Sequence, residues 1–302
     1  MGKDFKELAG VLSVLQTPFD VNDEIDELVL RKEIDWVIGN GADGVTTGMV
    51  SEILKLHPAE RMKLHEIVCD SVDPAKSSTT LSCGAESTKQ AMAYTKHAQS
   101  LGASAVMINA PVLSDLNDEQ IYGYFSEIFH ATEIPIVVQD ASGYVGRQLS
   151  TSLQVKLFEN FQSRIYFKPE APPIGIRLSA FMAETGGQAR VLEGSAGGAL
   201  VDTFRRGVIG TMPGAEVSWA IVSLWKALVT SDQAKADAIN GPLAILISLQ
   251  HSLDAYLGVE KYLLLRQGIF TNQLMRQPFA YEFDTQTKDL IDRLFALLKQ
   301  SI

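Results

Sequence analysis

Three junctions in this sequence follow one plan: an amphipathic stretch ends at a glycine, and a short apolar run follows at once. They are WVIGNGADGVTTG (36–48), HAQSLGASAVMINAP (97–111) and TFRRGVIGTMPG (203–214). Glycine suits the left-handed cap of a helix, and an apolar run without alternation suits a strand covered on both faces. Further short runs at 11–17, 78–83, 134–139, 164–168 and 190–193 bring the count to about eight, each separated from the next by enough chain for a helix. Repeated strand–helix units require parallel strands. The count and size point to the α/β class and a TIM (β/α)8 barrel. A doubly wound open sheet is the alternative, and it is disfavoured because no Gly-x-Gly-x-x-Gly or P-loop follows any strand.

From about Ala215 the strand signals stop. SWAIVSLWKALVT, AINGPLAILISLQHSLDAYLG, VEKYLLLRQGIF and TKDLIDRLFALLKQ carry helical periodicity. The expected organisation is a barrel over residues 1–230 and a C-terminal helical extension over 231–302, packed on the barrel because no low-complexity linker separates them. The chain has 302 residues, 46% of them hydrophobic, which is ample for a large core. The net charge of −10, spread without like-charge blocks, argues against nucleic acid or an anionic membrane as partner. The N-terminus shows no signal-peptide pattern and no apolar run spans a bilayer, so a cytoplasmic location is expected. Two cysteines, Cys69 and Cys83, and five scattered histidines give no metal-ligand spacing, so no metal is expected.

In a barrel of this kind the functional residues lie at the C-terminal ends of strands and in the loops after them. That selects Met49, Val50, Ser51 and Glu52 after the second strand, and Gln139 and Asp140 after the fifth. It also selects Lys168-Pro169-Glu170 after the sixth, Gly194 after the seventh and Met212 after the eighth. Lys168 is the sharpest of these. It follows the apolar triplet Ile165-Tyr166-Phe167, where an amine loses hydration of its charged form, its pKa falls, and a neutral nucleophile becomes available. Neutral lysine adds to a ketone, and the resulting imine is an electron sink that needs no further cofactor. A lysine reaching the rim, or paired with Glu170, is the alternative.

The ordered set of motifs resembles the dihydrodipicolinate synthase / N-acetylneuraminate lyase family of imine-forming lyases. GVLSVLQTPFDVNDEID is similar to that family's first strand with its Thr-Pro-Phe. GADGVTTGMVSEILKLHPAER stands where the family has Gly-Thr-Thr-Gly-Glu and its Leu-x-x-x-Glu follow-up, and RRGVIGTMPG matches the entry to the eighth strand. The resemblance spans nearly the whole chain and implies a barrel that acts on a small 2-oxo acid, with Lys168 as imine-forming residue and a homo-oligomer, tetramer or dimer, as assembly. It also implies that Gly194 and Met212 stand where backbone atoms surround the keto acid.

The departures are equally specific. Met49-Val50 replaces the family's threonine pair, with Ser51 in place of the next glycine. Gln139 occupies the position of the usual catalytic tyrosine, and Tyr144 lies too far along to be that residue by simple alignment. Pro111-Val112-Leu113 replaces the Pro-Tyr-Tyr that lends a tyrosine between subunits. Dihydrodipicolinate synthase activity itself is therefore not expected. Residues two apart on an extended segment point the same way, so Glu170 can share a cavity with Lys168 and move a C3 proton. Lys-x-Glu-Ala-Pro-Pro resembles the branch that includes 2-keto-3-deoxy-pentonate dehydratases. The expected roles are Lys168 and Glu170 in catalysis, Ser51 with nearby backbone N–H groups at Val50 on the substrate carboxylate, and Gln139 and Asp140 on substrate hydroxyls. A pyruvate-releasing aldolase and a silent keto-acid-binding barrel are the alternatives.

Overall fold

The computed structural model describes residues 7–302. Strand and helix alternate as β1 (Gly10–Val14), α1 (Glu27–Gly39), β2 (Gly44–Thr46), α2 (Pro58–Ser71), β3 (Ser78–Ser82), α3 (Thr88–Ser100), β4 (Ala105–Asn109) and α4 (Asp118–Ala131). The series continues with β5 (Ile136–Asp140), α5 (Thr151–Phe161), β6 (Ile165–Pro169), α6 (Ile174–Glu184), β7 (Leu192–Glu193), α7 (Leu200–Arg205), β8 (Gly210–Thr211) and α8 (Ser218–Val229). Three more helices follow: α9 (Gln233–Ser248), α10 (Leu253–Arg266) and α11 (Thr285–Gln300).

All strand pairs are parallel, in the order β6-β5-β4-β3-β2-β1-β8-β7. The ring closes where Phe167 of β6 bridges Val191 just before β7, the Phe167 N–H donating to the Arg190 carbonyl at 2.9 Å. The molecule is a TIM barrel with a C-terminal helical extension. No helix among the described residues is long and apolar enough to cross a membrane.

Each strand sends alternate side chains to opposite faces, and the core divides accordingly. Leu12, Val14, Ala105, Met107, Val137, Tyr166, Leu192 and Met212 pack together inside the barrel. The residues between them in sequence, including Val11, Val106, Ile108, Ile136, Val138, Ile165, Phe167 and Val191, pack outward under the helices. Fully burying one such side chain contributes about 1.5–3 kcal/mol. This alternation fixes the site in advance. Lys168 shares its parity with Tyr166, and Gln139 with Val137, so both project into the barrel, whereas Asp140 shares the outward parity of Val138.

The helices begin on polar caps. Asp26, Ser87, Asn117, Ser150, Asp232, Ser252 and Asp284 each accept from the backbone N–H three residues on, worth typically about 1 kcal/mol apiece. The Ser252 cap explains one difference from the periodicity. The stretch 238–258 reads as continuously helical but folds as the end of α9 and the start of α10, because the Ser252 hydroxyl takes the Ala255 N–H and starts a new helix. The new helix α10 packs against the 3-10 turn Met49–Ser51 after β2 and against the turn Ala215–Val217 after β8, across the C-terminal mouth of the barrel.

Candidate active site

Inside that mouth Lys168 Nζ lies 2.6 Å from Glu170 Oε1, with both side chains nearly fully buried. The amine therefore does not sit in a purely apolar pocket; it is paired with the carboxylate two residues on. Glu170 is held from two further directions. Gln139 Nε2 donates to Glu170 Oε2 at 2.7 Å, and the Tyr144 hydroxyl donates to Glu170 Oε1. Gln139 and Lys168 are register partners across β5 and β6, so their inward side chains start side by side. Burial, and after it the Glu170 carboxylate, raise Tyr144 well above the usual phenol range, so its hydroxyl keeps its proton and acts as a donor.

Gly194 makes this arrangement possible. A Cβ built there would lie 2.6 Å from Glu170 Cγ and 2.9 Å from Lys168 Cγ, closer than any real side chain tolerates. The turn that delivers Gly194 is fixed by buried Glu193. Its carboxylate accepts from the Ser195 N–H at 2.7 Å, the Thr211 hydroxyl at 2.6 Å and the Gly197 N–H at 3.2 Å, and from the Ser195 hydroxyl.

The other sequence-selected residues divide. Val50, Gln139, Lys168, Gly194 and Met212 line one cavity of about 370 Å³ counted out to its open mouth. Ser51, Asp140 and Glu170 are not part of that lining; Glu170 reaches the site through its contact with Lys168. The Ser51 hydroxyl donates to the Leu15 carbonyl at 2.5 Å and accepts from the Gly48 N–H at 2.9 Å, so it closes its own turn rather than facing a ligand. Asp140, at outward parity, accepts from the Ser142 hydroxyl at 2.6 Å and the Leu149 N–H at 3.1 Å. It folds the β5–α5 loop that brings Tyr144 inward. Glu52 is structural, as its place in the turn implies. It adopts a left-handed backbone with φ of 56°, and it pairs with fully buried Lys261 and accepts from the Arg276 N–H at 2.9 Å.

Among the cavity residues that sequence reading missed, two carry polar side chains, Tyr256 and Glu260. Both lie on α10, four residues apart and so on one helix face. That spacing was visible, but nothing in the sequence placed a helix from beyond the barrel over its mouth. Tyr144 was set aside on alignment alone; its loop brings the hydroxyl onto the same Glu170 carboxylate that Gln139 reaches from the strand. Among the described residues, no group of three His, Cys, Asp or Glu side chains is arranged to hold a metal ion.

This geometry has known counterparts. The dihydrodipicolinate synthetase family profile matches residues 7–297. The chain is 29% identical over 290 residues, 94% of this chain and 96% of the relative, to the 4-hydroxy-tetrahydrodipicolinate synthase of Bartonella bacilliformis. Its backbone superposes on dihydrodipicolinate synthase from Rhodopseudomonas palustris with a TM-score of 0.88 at 24% identity, covering 99% of this chain and 100% of that one. It superposes on the sialic acid aldolase of Ruminococcus gnavus with a TM-score of 0.84 at 16% identity, covering 97% of both chains. These two likenesses carry the fold. The chain is a lyase of the imine-forming class, and it belongs to the dihydrodipicolinate synthetase family.

Proposed function

We propose that this enzyme dehydrates a 2-oxo-3-deoxy sugar acid through an imine on Lys168. The observation that carries the reading is the placement of the Glu170 carboxylate 2.6 Å from Lys168 Nζ, the amine that lines the cavity. Glu170 first takes the ammonium proton, which frees the amine to attack the C2 ketone. Glu170 returns that proton to the carbinolamine hydroxyl, which leaves as water, and the resulting iminium withdraws electrons from C3. Glu170, again a carboxylate, takes the C3 proton. Gln139 and Tyr144 hold the carboxylate in place during these transfers, so it needs no reorganisation.

The substrate carboxylate belongs at the turn after β2. Met49 and Val50 line the cavity, and the N–H groups that open a helical turn have no partner within it. With the Ser51 hydroxyl already bonded to backbone, these N–H groups carry that role. Polar groups for the sugar hydroxyls are Gln139 and Tyr256. Both threonines of the usual pair are replaced, and the family's strand-five tyrosine position holds Gln139, which speaks against the dihydrodipicolinate synthase reaction itself.

The test is to incubate the protein with a panel of 2-oxo-3-deoxy sugar acids and cyanoborohydride, then map the adduct by mass spectrometry. An adduct on Lys168, absent in Lys168→Met, supports the imine. Parallel product analysis without reductant separates the chemistries: a dehydrated 2-oxo acid supports the proposal, whereas free pyruvate with an aldehyde replaces it with an aldolase.

A further inference from the structure

Three carboxyl groups beside this cavity take no part in the chemistry above. Glu33 of α1, Glu216 of the turn before α8 and Glu260 of α10 are all fully buried. Gln16 joins two of them: its N–H donates to Glu33 Oε1 at 3.0 Å and its Nε2 to Glu260 Oε2 at 2.7 Å. Among the described residues, Glu216 has no well-formed hydrogen bond on either oxygen; the buried Gln250 amide lies against it and is its nearest side-chain donor. A buried carboxyl with so few donors is costly to charge.

The geometry brings two of the three together at the cavity wall. A Cβ on Gly214 would meet Glu216 Oε2 at 2.2 Å and Glu260 Oε1 at 2.7 Å, so both oxygens hang over the face that this glycine leaves open. Gly214 and Glu260 both line the cavity that holds Lys168. Two buried carboxyl groups set against one glycine face each disfavour the other's charge.

We propose that Glu260 is a second catalytic residue of this cavity, kept protonated by its neighbour Glu216, and that it gives its proton to the hydroxyl leaving C4. The proposal rests on the dehydratase reading above. Glu170 removes the C3 proton and the C–H electron pair becomes the enamine C2=C3 bond. That pair then expels the C4 oxygen, which leaves as water with the proton from Glu260. The product on Lys168 is a conjugated iminium, Glu260 is left as a carboxylate to be reprotonated from solvent, and no oxidant or reductant is consumed. Glu216 acts through Glu260 and is a positioning residue.

The surroundings agree with this division. Burial, and next the Glu216 carboxyl, raise Glu260 well above the ordinary range, while Lys168 lowers it and Gln16 lowers it through its hydrogen bond. Glu33 adds a further like charge from α1. Tyr256 lies one helical turn earlier on α10, and the nearby cation Lys261 is committed to Glu52. Glu170, by contrast, has three donors, Lys168, Gln139 and Tyr144. One carboxyl is surrounded by donors and the other stands against a second carboxyl, the division expected of a base and an acid.

The test uses Glu260→Gln and Glu216→Gln in the full chain. Glu260→Gln is expected to retain the borohydride adduct on Lys168 and the exchange of C3 hydrogen with deuterated water, and to lose about 100-fold or more in dehydration. A substrate carrying fluoride in place of the C4 hydroxyl needs no proton to leave, so Glu260→Gln should process it within about tenfold of the unaltered protein. Glu216→Gln lowers the pKa of Glu260 by removing a like charge. Because the rate needs protonated Glu260, its fall with rising pH should begin at lower pH in this variant. Dehydration by Glu260→Gln within about threefold of the unaltered protein, an equal loss with the fluoro substrate, or an unmoved pH limb in Glu216→Gln would overturn the proposal. If the unaltered protein gives no adduct, the imine reading has failed and this proposal goes with it; if the adduct forms and only the dehydration result is contrary, the imine reading stands alone.

Discussion

Lys168 Nζ and Glu170 Oε1 are 2.6 Å apart at the end of β6, on side chains that are 5% and 2% exposed. In the proposed mechanism this contact makes the carboxylate the first acceptor for the ammonium proton and then the base nearest the carbon beside the imine. Glu170→Gln keeps the shape and removes the base. Exchange of C3 hydrogen, followed by proton NMR in deuterated water, should fall about 100-fold or more, while borohydride still marks Lys168, more slowly, because the ammonium has lost its first proton acceptor. Undiminished exchange would assign the proton transfer to another group.

Gly194→Ala tests the room that the pair requires. The added methyl would press on both Glu170 Cγ and Lys168 Cγ. Overpacking of this kind costs about 1–3 kcal/mol, so the urea midpoint should drop. The adduct rate should fall at least about tenfold as the pair is pushed apart. A variant with unchanged stability and unchanged adduct rate would mean that β7 shifts freely away from β6.

Lys261→Met tests the buried pair that ties α10 to the turn after β2. Lys261 and Glu52 are both fully buried, and Lys261 also donates to the Leu274 carbonyl at 2.8 Å. Removing one partner strands the other, at a cost of about 3–5 kcal/mol. Adding Glu52→Gln should return a substantial part of that loss, because no uncompensated charge remains. Equilibrium denaturation of the two variants gives the comparison, and a double variant no better than the single would contradict it.

Stability should also fall on mild acidification through His65. The ring is fully buried beside Arg61 and His97, and burial, with Arg61 second, lowers its pKa to about 3. The folded protein thus holds His65 neutral where the unfolded chain, with a pKa near 6.5, protonates it. Its contribution is complete above pH 6.5 and declines as pH falls towards 3, by about 1.4 kcal/mol per pH unit within that window. Denaturation at pH 7, 6 and 5, with His65→Gln as the control that lacks this slope, measures the effect.

The parts of this fold that repeat were legible in the sequence. Glycine-capped helices followed by apolar runs give eight parallel strands, and the two-residue period of β5 and β6 puts Gln139 and Lys168 inside the barrel. What was not legible depended on long-range placement. Asp140 reads as a rim residue but turns outward to organise its loop, and that loop returns Tyr144 to the site. Ser51 offers a hydroxyl at the correct strand end, yet the backbone of its own turn claims it. Glu260 lies beyond the barrel, and its place at the mouth follows from how α10 crosses two turns, a packing relationship without a local signal.

The closure of the barrel has a last consequence, for durability rather than chemistry. β6 is paired with β5 along its full length, from Ile165 to Pro169, whereas it meets β7 at the bridge between Phe167 and Val191. Lys168 and Glu170 lie on one side of this seam and Gly194 on the other. Local opening draws on the regions with the fewest backbone hydrogen bonds, so the seam parts before the rest of the ring. Heating would then separate Gly194 from the pair it accommodates while the barrel is still folded, and the enzyme would stop working at a temperature below the one at which it melts.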